Sequence, residues 1–475
     1  MLIREKKCIF APEMKILFIL LLHAYYFVCF TDKAGSEGYA LSEAALARRA
    51  HYGIALDELD KPVSALYLDS IRHAGGRLIH RSRWMNGATV EMPDSLAEAM
   101  QTWSFVSGIE KTRHGESAPT TSPTPRGATN PNLETYNLQP LHTLGYKGQG
   151  KFISVIDVGF PAVDTAVCYD SLRREGRLVG KYDFATTRVA MDSMIADHGT
   201  NCLSILAAQL PTFTGAAPQA RYVLMRTEEY EAESPKEGDN WIVAVEMSDS
   251  LGVDIISSSL GYYAFDDSSF NYDYAHLDGT SYRPSRAATI AARKGILVCV
   301  AAGNSGNDAH WPWVNVPGDA DSILTVGAVQ ADSTRAAFSS YGPTVDGRTK
   351  PEVLALGART AMISPPTGQI RVSNGTSFSC PLIAGLAACL WSALPEANAM
   401  EIRERIIRSA DHYTTPTDDY GYGIPNGWLA YQQESATALT ECPTINRQTR
   451  KLVLNGSVYI QLNGESYTLL GERVQ

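Results

Sequence analysis

The sequence predicts an α/β protein built on a buried parallel sheet, and three features predict it. Runs such as Phe152-Ile153-Ser154-Val155-Ile156 and Ile296-Leu297-Val298-Cys299-Val300 are nearly continuous in apolar residues, the pattern of a strand covered on both faces. Apolar stretches of helical length, among them residues 203–210 and 382–390, lie among such strands, and the two patterns alternate from 138 to about 433. With 44% hydrophobic residues in 475, the chain can bury one large core and carry smaller modules besides.

At the N-terminus, Arg4-Glu5-Lys6-Lys7 and Lys15 precede a mostly apolar run of 15 residues, 16–30. That is the length of the apolar stretch of an export signal and short of the ~20 residues of a membrane span. Residues 1–32 are therefore read as a signal peptide, with Met14-Lys15 as a second start, and no stable membrane span is expected. Cys29 lacks the small preceding residue that a lipid-attachment site wants.

Residues 40–113 follow an α-β-β-α-β order: a helix at 63–74, strands at 77–83 and 88–92, a helix from Pro93-Asp94 to 102, and a strand at 103–111. This is the order of a small split-βαβ sandwich. Residues 114–137 form a linker, because Pro119, Pro123, Pro125 and Pro131 among Ser, Thr and Gly leave nothing to pack and make it the exposed place to cut. Residues 138–435 hold the α/β domain. The last stretch, 436–475, reads as short strands at 451–454, 457–462 and 466–470, with Asn455-Gly456 and Asn463-Gly464 as hairpin turns.

Four segments carry chemistry. Asn374-Gly375-Thr376-Ser377 sets a serine at a glycine turn at the mouth of an apolar helix, where unpaired N–H groups and the helix dipole favour developing negative charge. Ser377 reads as a nucleophile; alone it would read as a helix cap. The strand 152–156 ends in Asp157-Val158-Gly159, which brings a carboxylate out at its C-terminal edge, and Asp197-His198-Gly199-Thr200-Asn201-Cys202 opens another apolar helix. Each of these is by itself an ordinary turn or cap residue. The order Asp, His, Ser joins them, since it is one of the chain orders in which that triad recurs. Ala301-Ala302-Gly303-Asn304 follows the strand 296–300 and supplies a side-chain amide, a natural second donor to an oxyanion.

Taken together, Val155-Ile156-Asp157-Val158-Gly159, His198-Gly199-Thr200, Ser259-Leu260-Gly261, Ala301-Ala302-Gly303-Asn304 and Gly375-Thr376-Ser377, spread over about 220 residues, resemble the motifs of subtilisin-type serine endopeptidases. The resemblance implies a three-layer sandwich around a central parallel sheet, with residues 40–113 as an α+β propeptide before it and a short β tail after it. It assigns Asp157 as orienting acid, His198 as general base, Ser377 as nucleophile and Asn304 to the oxyanion hole. Ser259, Leu260 and Gly261 become the backbone edge that pairs with an extended substrate by strand addition, and Ala301, Ala302 and Gly303 join the substrate-binding set. It also implies polypeptide substrates, the chain's own propeptide as partner, and a secreted or cell-envelope location. It calls for no organic cofactor and leaves calcium without a ligand set. Phe378, Ser379 and Leu382 stand where most members have Met, Ala and His, and this variant is similar to that of the Bacteroidetes-like branch. Cys202, four residues after His198, stacks beneath it on a helix, as in the proteinase K branch.

Other classes are disfavoured. A net charge of −10 and a pI near 5.5 argue against nucleic acid as a partner. No CxxC pair or HExxH stretch offers a metal site, and Cys202, Cys299, Cys380 and Cys389 fall inside apolar segments, where a thiol packs as a small hydrophobe. The run Gly145-Tyr146-Lys147-Gly148-Gln149-Gly150-Lys151 mimics a phosphate loop, but Phe152 stands where Ser or Thr would hold magnesium. Sequons stand at Asn374 and Asn455; a glycan at Asn374 would bury Ser377, so that match is read as idle. Two rival readings remain: a catalytically silent peptide-binding scaffold, and an esterase, which would want Gly-x-Ser-x-Gly around Ser377.

Overall fold

The computed structural model describes residues 23–113, 132–187, 189–364, 367–433 and four strands between 449 and 474. The N-terminal domain runs β1 (His23–Phe30), α1 (Glu43–His51), α2 (Ala65–His73), β2 (Arg77–Ser82), β3 (Gly87–Pro93), α3 (Asp94–Met100) and β4 (Val106–Arg113). Its antiparallel sheet has the order β2-β3-β1-β4. The helices and strands expected between 63 and 111 are present within a few residues of their predicted ends.

One boundary differs. Residues 23–30, read from sequence as the end of a signal peptide spanning 1–32, form β1, an inner strand between β3 and β4. The N-terminal domain therefore takes in residues well before 40, and the signal-peptide reading is left with 1–22, outside the described residues. A signal's apolar stretch and a strand buried on both sides have the same composition, so the run alone could not divide the two. Tyr26, Val28 and Phe30 pack with Ile71 and Val90 inside the domain. On the other face, Phe27 lies beneath the Arg283 guanidinium, 4.5 Å from its ring centroid.

The second domain is a seven-stranded sheet whose neighbours are all parallel. Its elements in chain order are β5 (Phe152–Asp157), β6 (Leu178–Asp183), α4 (His198–Ala207), β7 (Arg221–Arg226), α5 (Pro235–Leu251), β8 (Ile255–Ser258), α6 (Arg283–Arg293), β9 (Leu297–Ala301), β10 (Leu324–Val329), β11 (Val353–Leu356), α7 (Thr376–Ala393) and α8 (Ala399–Arg408). The sheet order is β11-β10-β9-β8-β5-β7-β6. Alternate strand residues face opposite layers: Ile153, Val155, Leu297 and Cys299 meet α4, α7 and α8, while Ile156, Val298 and Val300 meet α5 and α6. This is the expected three-layer α/β sandwich, with binding expected at the carboxyl edge of its strands. Among the described residues α7 is the one helix long and apolar enough to cross a membrane, and it is the buried core helix of the sheet.

The N-terminal domain covers α5 and α6 with an apolar contact at Trp84 and, around it, a set of charges. Asp249 on α5, fully buried, takes Arg48 at 2.9 Å, Arg49 at 2.6 Å and Arg83 at 2.7 Å. Glu246, one turn earlier, accepts the Ser82 hydroxyl and the backbone N–H groups of Arg83 and Trp84. In the opposite sense, Lys294 of the second domain reaches Asp57 at 2.7 Å and Asp60 at 2.9 Å, and Arg283 pairs with Glu110 as well as with Asp239.

The C-terminal unit is an antiparallel meander of four strands, Thr449–Leu454, Ser457–Leu462, Glu465–Thr468 and Arg473–Val474, one more than expected. Both Asn-Gly turns lie outside the described residues. The described cysteines are all free thiols.

Candidate active site

Asp157 ends β5, and its Oδ1 accepts a hydrogen bond at 2.7 Å from Nδ1 of His198, the first residue of α4. The same oxygen accepts the N–H of Val158. The approach of α4 to the strand end requires glycine at 199, where a Cβ would meet the Gly159 carbonyl at 2.4 Å and the Asp157 Cβ at 2.8 Å. Asp157 is wholly buried, while the His198 side chain keeps 34% of its surface open. Burial works against the charged form of His198, but the Asp157 carboxylate beside it and their hydrogen bond outweigh that and hold its pKa well above the ordinary imidazole value.

Ser377 stands in the first turn of α7, after Gly375 with φ +153°, a backbone setting that favours glycine. Its N–H is among the first helical donors, which have no acceptor within the helix. Its carbonyl is also freed: Pro381, four residues on, has no N–H to donate to it. The Ser259 hydroxyl donates to that carbonyl at 2.7 Å, and the Cys202 thiol lies 3.4 Å from it. Reciprocally, the Ser377 hydroxyl donates to the Ser259 carbonyl at 3.2 Å. Cys202 Sγ is 3.8 Å from His198 Nδ1, so one thiol touches both the His198 ring and the Ser377 backbone, and burial pushes its pKa up. The Phe378 ring lies 5.7 Å from the His198 ring.

Asn304 follows β9, and its Oδ1 accepts from the Thr376 N–H at 2.9 Å and the Thr376 hydroxyl at 3.1 Å. With the amide oxygen so held, Nδ2 is the atom left to face a developing oxyanion. The Thr376 hydroxyl in turn accepts from the Gly303 N–H, which ties the 301–304 turn to the serine turn. Sequence reasoning missed this part of Thr376: nothing in Gly-Thr-Ser distinguishes a clamp on Asn304 from a helix cap. Ala301 closes β9, and Ala302 and Gly303 are buried behind Asn304. Ser259 is buried, whereas Leu260 and Gly261 make no backbone hydrogen bond with the protein among the described residues, leaving an open edge where strand addition can occur. The Asn374 amide, in the idle sequon, is engaged by the Arg359 N–H at 2.7 Å.

A further convergence is that of Glu228, Glu233 and Glu237, whose carboxylates lie within 4.8 Å of one another. Burial and the nearby Glu233 push the Glu228 carboxyl up to about 8, and Tyr262 and Thr227 donate hydrogen bonds to it.

Residues 148–423 match the profile of the Subtilase family of S8 peptidases, and residues 25–126 match a Bacteroidota peptidase S8 propeptide domain. Serine protease AprX of Bacillus subtilis is 30% identical over 310 residues, 59% of this chain and 65% of the relative, so the chain spans just under two thirds of it. Subtilisin DY of Bacillus licheniformis is 30% identical over 283 residues, 59% of this chain and 89% of the relative. Subtilisin NAT of Bacillus subtilis subsp. natto is 25% identical over 373 residues, with coverages of 78% and 87%. The propeptide match begins inside β1 and is of the branch that Phe378-Ser379-Cys380-Pro381 suggested. The chain belongs to the subtilase family.

Proposed function

We propose that the chain is an exported serine endopeptidase that hydrolyses polypeptides through an acyl-enzyme. The reading is carried above all by one observation: the buried Asp157 holds His198 by its Nδ1, which leaves Nε2 for the nucleophile. Substrate lies extended along Ser259, Leu260 and Gly261. His198 takes the proton of Ser377 as its oxygen attacks the scissile carbonyl carbon, and Asp157 stabilises the imidazolium that forms. The Ser377 N–H and Asn304 Nδ2 receive the oxyanion. His198 then protonates the leaving amine, and water, deprotonated by the same imidazole, releases the acyl group and restores Ser377. The Ser377 hydroxyl rests on the Ser259 carbonyl and turns to His198 when substrate arrives, as catalytic hydrogen bonds tighten on binding.

No residue set is assigned to calcium, and none of these steps needs a cofactor. Residues 23–113 act as the propeptide, and its own linker, 114–137, is the first peptide cut. Export is supported by the apolar residues 16–22 and by the Bacteroidota propeptide match. The silent-scaffold reading is disfavoured because every reacting group is present, and the esterase reading because Ser377 sits in Gly-Thr-Ser-Phe-Ser. Expression of wild type and Ser377→Ala in a host lacking other proteases tests the proposal. Wild type should yield a product beginning between residues 112 and 138 that cleaves internal peptide bonds, and the variant an uncut precursor. Normal processing of the variant would defeat the proposal.

A further inference from the structure

The backbone carbonyl of Ser377 is left open by the helix that carries it. In an α-helix the carbonyl of residue i accepts the N–H of residue i+4, and for Ser377 that residue is Pro381, which has no N–H to give. Ser377 is 8% exposed, so solvent offers this carbonyl little. An acceptor left unpaired there is costly, and the first turn of α7 would move to find it a partner, taking the nucleophile with it.

Ser259 supplies what Pro381 withholds. Its hydroxyl donates to the Ser377 carbonyl at 2.7 Å while its own carbonyl accepts the Ser377 hydroxyl at 3.2 Å, so one residue holds the nucleophile by backbone and side chain at once. The holder is itself fixed. Ser259 follows β8, whose last residue, Ser258, pairs with Ile156 of β5 on one side and Val300 of β9 on the other, and the Ser258 carbonyl takes the Cys380 thiol of α7 at 3.5 Å. Ile156 runs into Asp157, and β9 runs on to Asn304. The strand end that steadies Ser377 therefore lies between those that bring the orienting acid and the oxyanion amide. The Cys202 thiol also reaches the Ser377 carbonyl, at 3.4 Å, but an S–H group is a weak donor, which leaves the Ser259 hydroxyl as the strong one.

We infer that the Ser259 side chain is a positioning residue for the reaction: its hydroxyl, standing in for the N–H that Pro381 lacks, sets where Ser377 presents its oxygen to His198. This rests on the endopeptidase reading. The test compares processed wild type, Ser259→Ala, Pro381→Ala and the double variant, matched for active sites by fluorophosphonate titration, in peptide hydrolysis and in the rate of fluorophosphonate labelling. Ser259→Ala removes the hydroxyl and keeps the backbone edge along which substrate lies. It should lower kcat by about 10- to 100-fold, the scale on which a slightly misplaced reacting group loses rate, and slow labelling by a similar factor. KM should stay within about twofold of wild type, because binding along the edge is intact. Pro381→Ala restores an N–H that can close the Ser377 carbonyl from within the helix, so adding it to Ser259→Ala should recover most of the lost kcat. Cys202→Ala should cost less than Ser259→Ala. A Ser259→Ala enzyme whose KM rises while kcat and labelling hold would make Ser259 part of the substrate edge alone and overturn the inference, as would a double variant no faster than Ser259→Ala. Should Pro381→Ala by itself fail to fold, the split between kcat and KM in Ser259→Ala, together with its labelling rate, decides the matter. Failure of wild type to label at Ser377 would instead strike at the endopeptidase reading.

Discussion

Two helices of the catalytic domain are buried to a similar depth by opposite means. α7 disappears into the core mainly under apolar contacts: Leu382, Ile383, Leu386, Leu390 and Trp391 are fully enclosed in the main hydrophobic cluster. α5 is closed on one side by the sheet and on the other by the N-terminal domain, and beside an apolar contact at Trp84 it gives that domain the carboxylates of Asp239, Glu246 and Asp249. A surface that stays covered can be apolar. A surface uncovered when a propeptide leaves must return to water, and carboxylates do so at little cost where an apolar face of that size would invite aggregation. The difference between the helices marks which contact is permanent and which is meant to be undone.

The comparison breaks most readily at Asp249. Asp249→Asn leaves three arginines facing a neutral amide in a buried site, and loss of one partner there costs about 3–5 kcal/mol. In the Ser377→Ala background, with the linker nicked by a trace of wild-type enzyme, the N-terminal fragment should co-elute with the catalytic unit on gel filtration when Asp249 is intact and separate from it in Asp249→Asn. Co-elution in both would mean that apolar area, not charge, holds the domain.

A second substitution acts on the chemistry and should spare both kinds of contact. Asn304→Leu is expected to lower kcat by roughly 10²- to 10³-fold with little change in KM, because an oxyanion donor acts in the transition state. An equal effect on both constants would take Asn304 out of the oxyanion hole. On the apolar side, Leu386→Ala should lower the unfolding free energy by roughly 3 kcal/mol, as for a buried leucine. Urea unfolding of the nicked complex and of the freed catalytic unit should show the same loss, whereas Asp249→Asn should destabilise the complex alone.

The smallest expected effect is a shift along the pH axis. His198 acts as base only when neutral, and Asp157 raises its pKa, so kcat/KM should fall as pH drops through that raised value. The acid limb should lie above the ordinary imidazole value of 6.5. A limb below 6.5 would show that Asp157 does not stabilise the imidazolium as the geometry implies.

The candidate site residues were legible in sequence because each sits at a strand end or helix start whose pattern is local: Asp157 after five buried-strand residues, His198 and Ser377 each opening an apolar helix. Placing them together needed the parallel sheet, which the alternating pattern supplied. β1 was not legible, because a run such as Tyr25-Tyr26-Phe27-Val28-Cys29-Phe30 satisfies an export signal and a doubly covered strand alike. The Arg48, Arg49 and Arg83 contacts to Asp249 were not legible either. They join residues 166 to 201 positions apart, and charged side chains on amphipathic helices read by default as solvated surface.

The most direct test of the central claim, acyl transfer at Ser377 driven by His198, is the position of a covalent adduct. Processed enzyme is treated with a fluorophosphonate, digested, and the modified peptide sequenced by mass spectrometry. The account predicts a single adduct on Ser377, absent from denatured enzyme and strongly slowed in His198→Ala. An adduct on another serine, or a folded, processed enzyme that takes up no label, would contradict it.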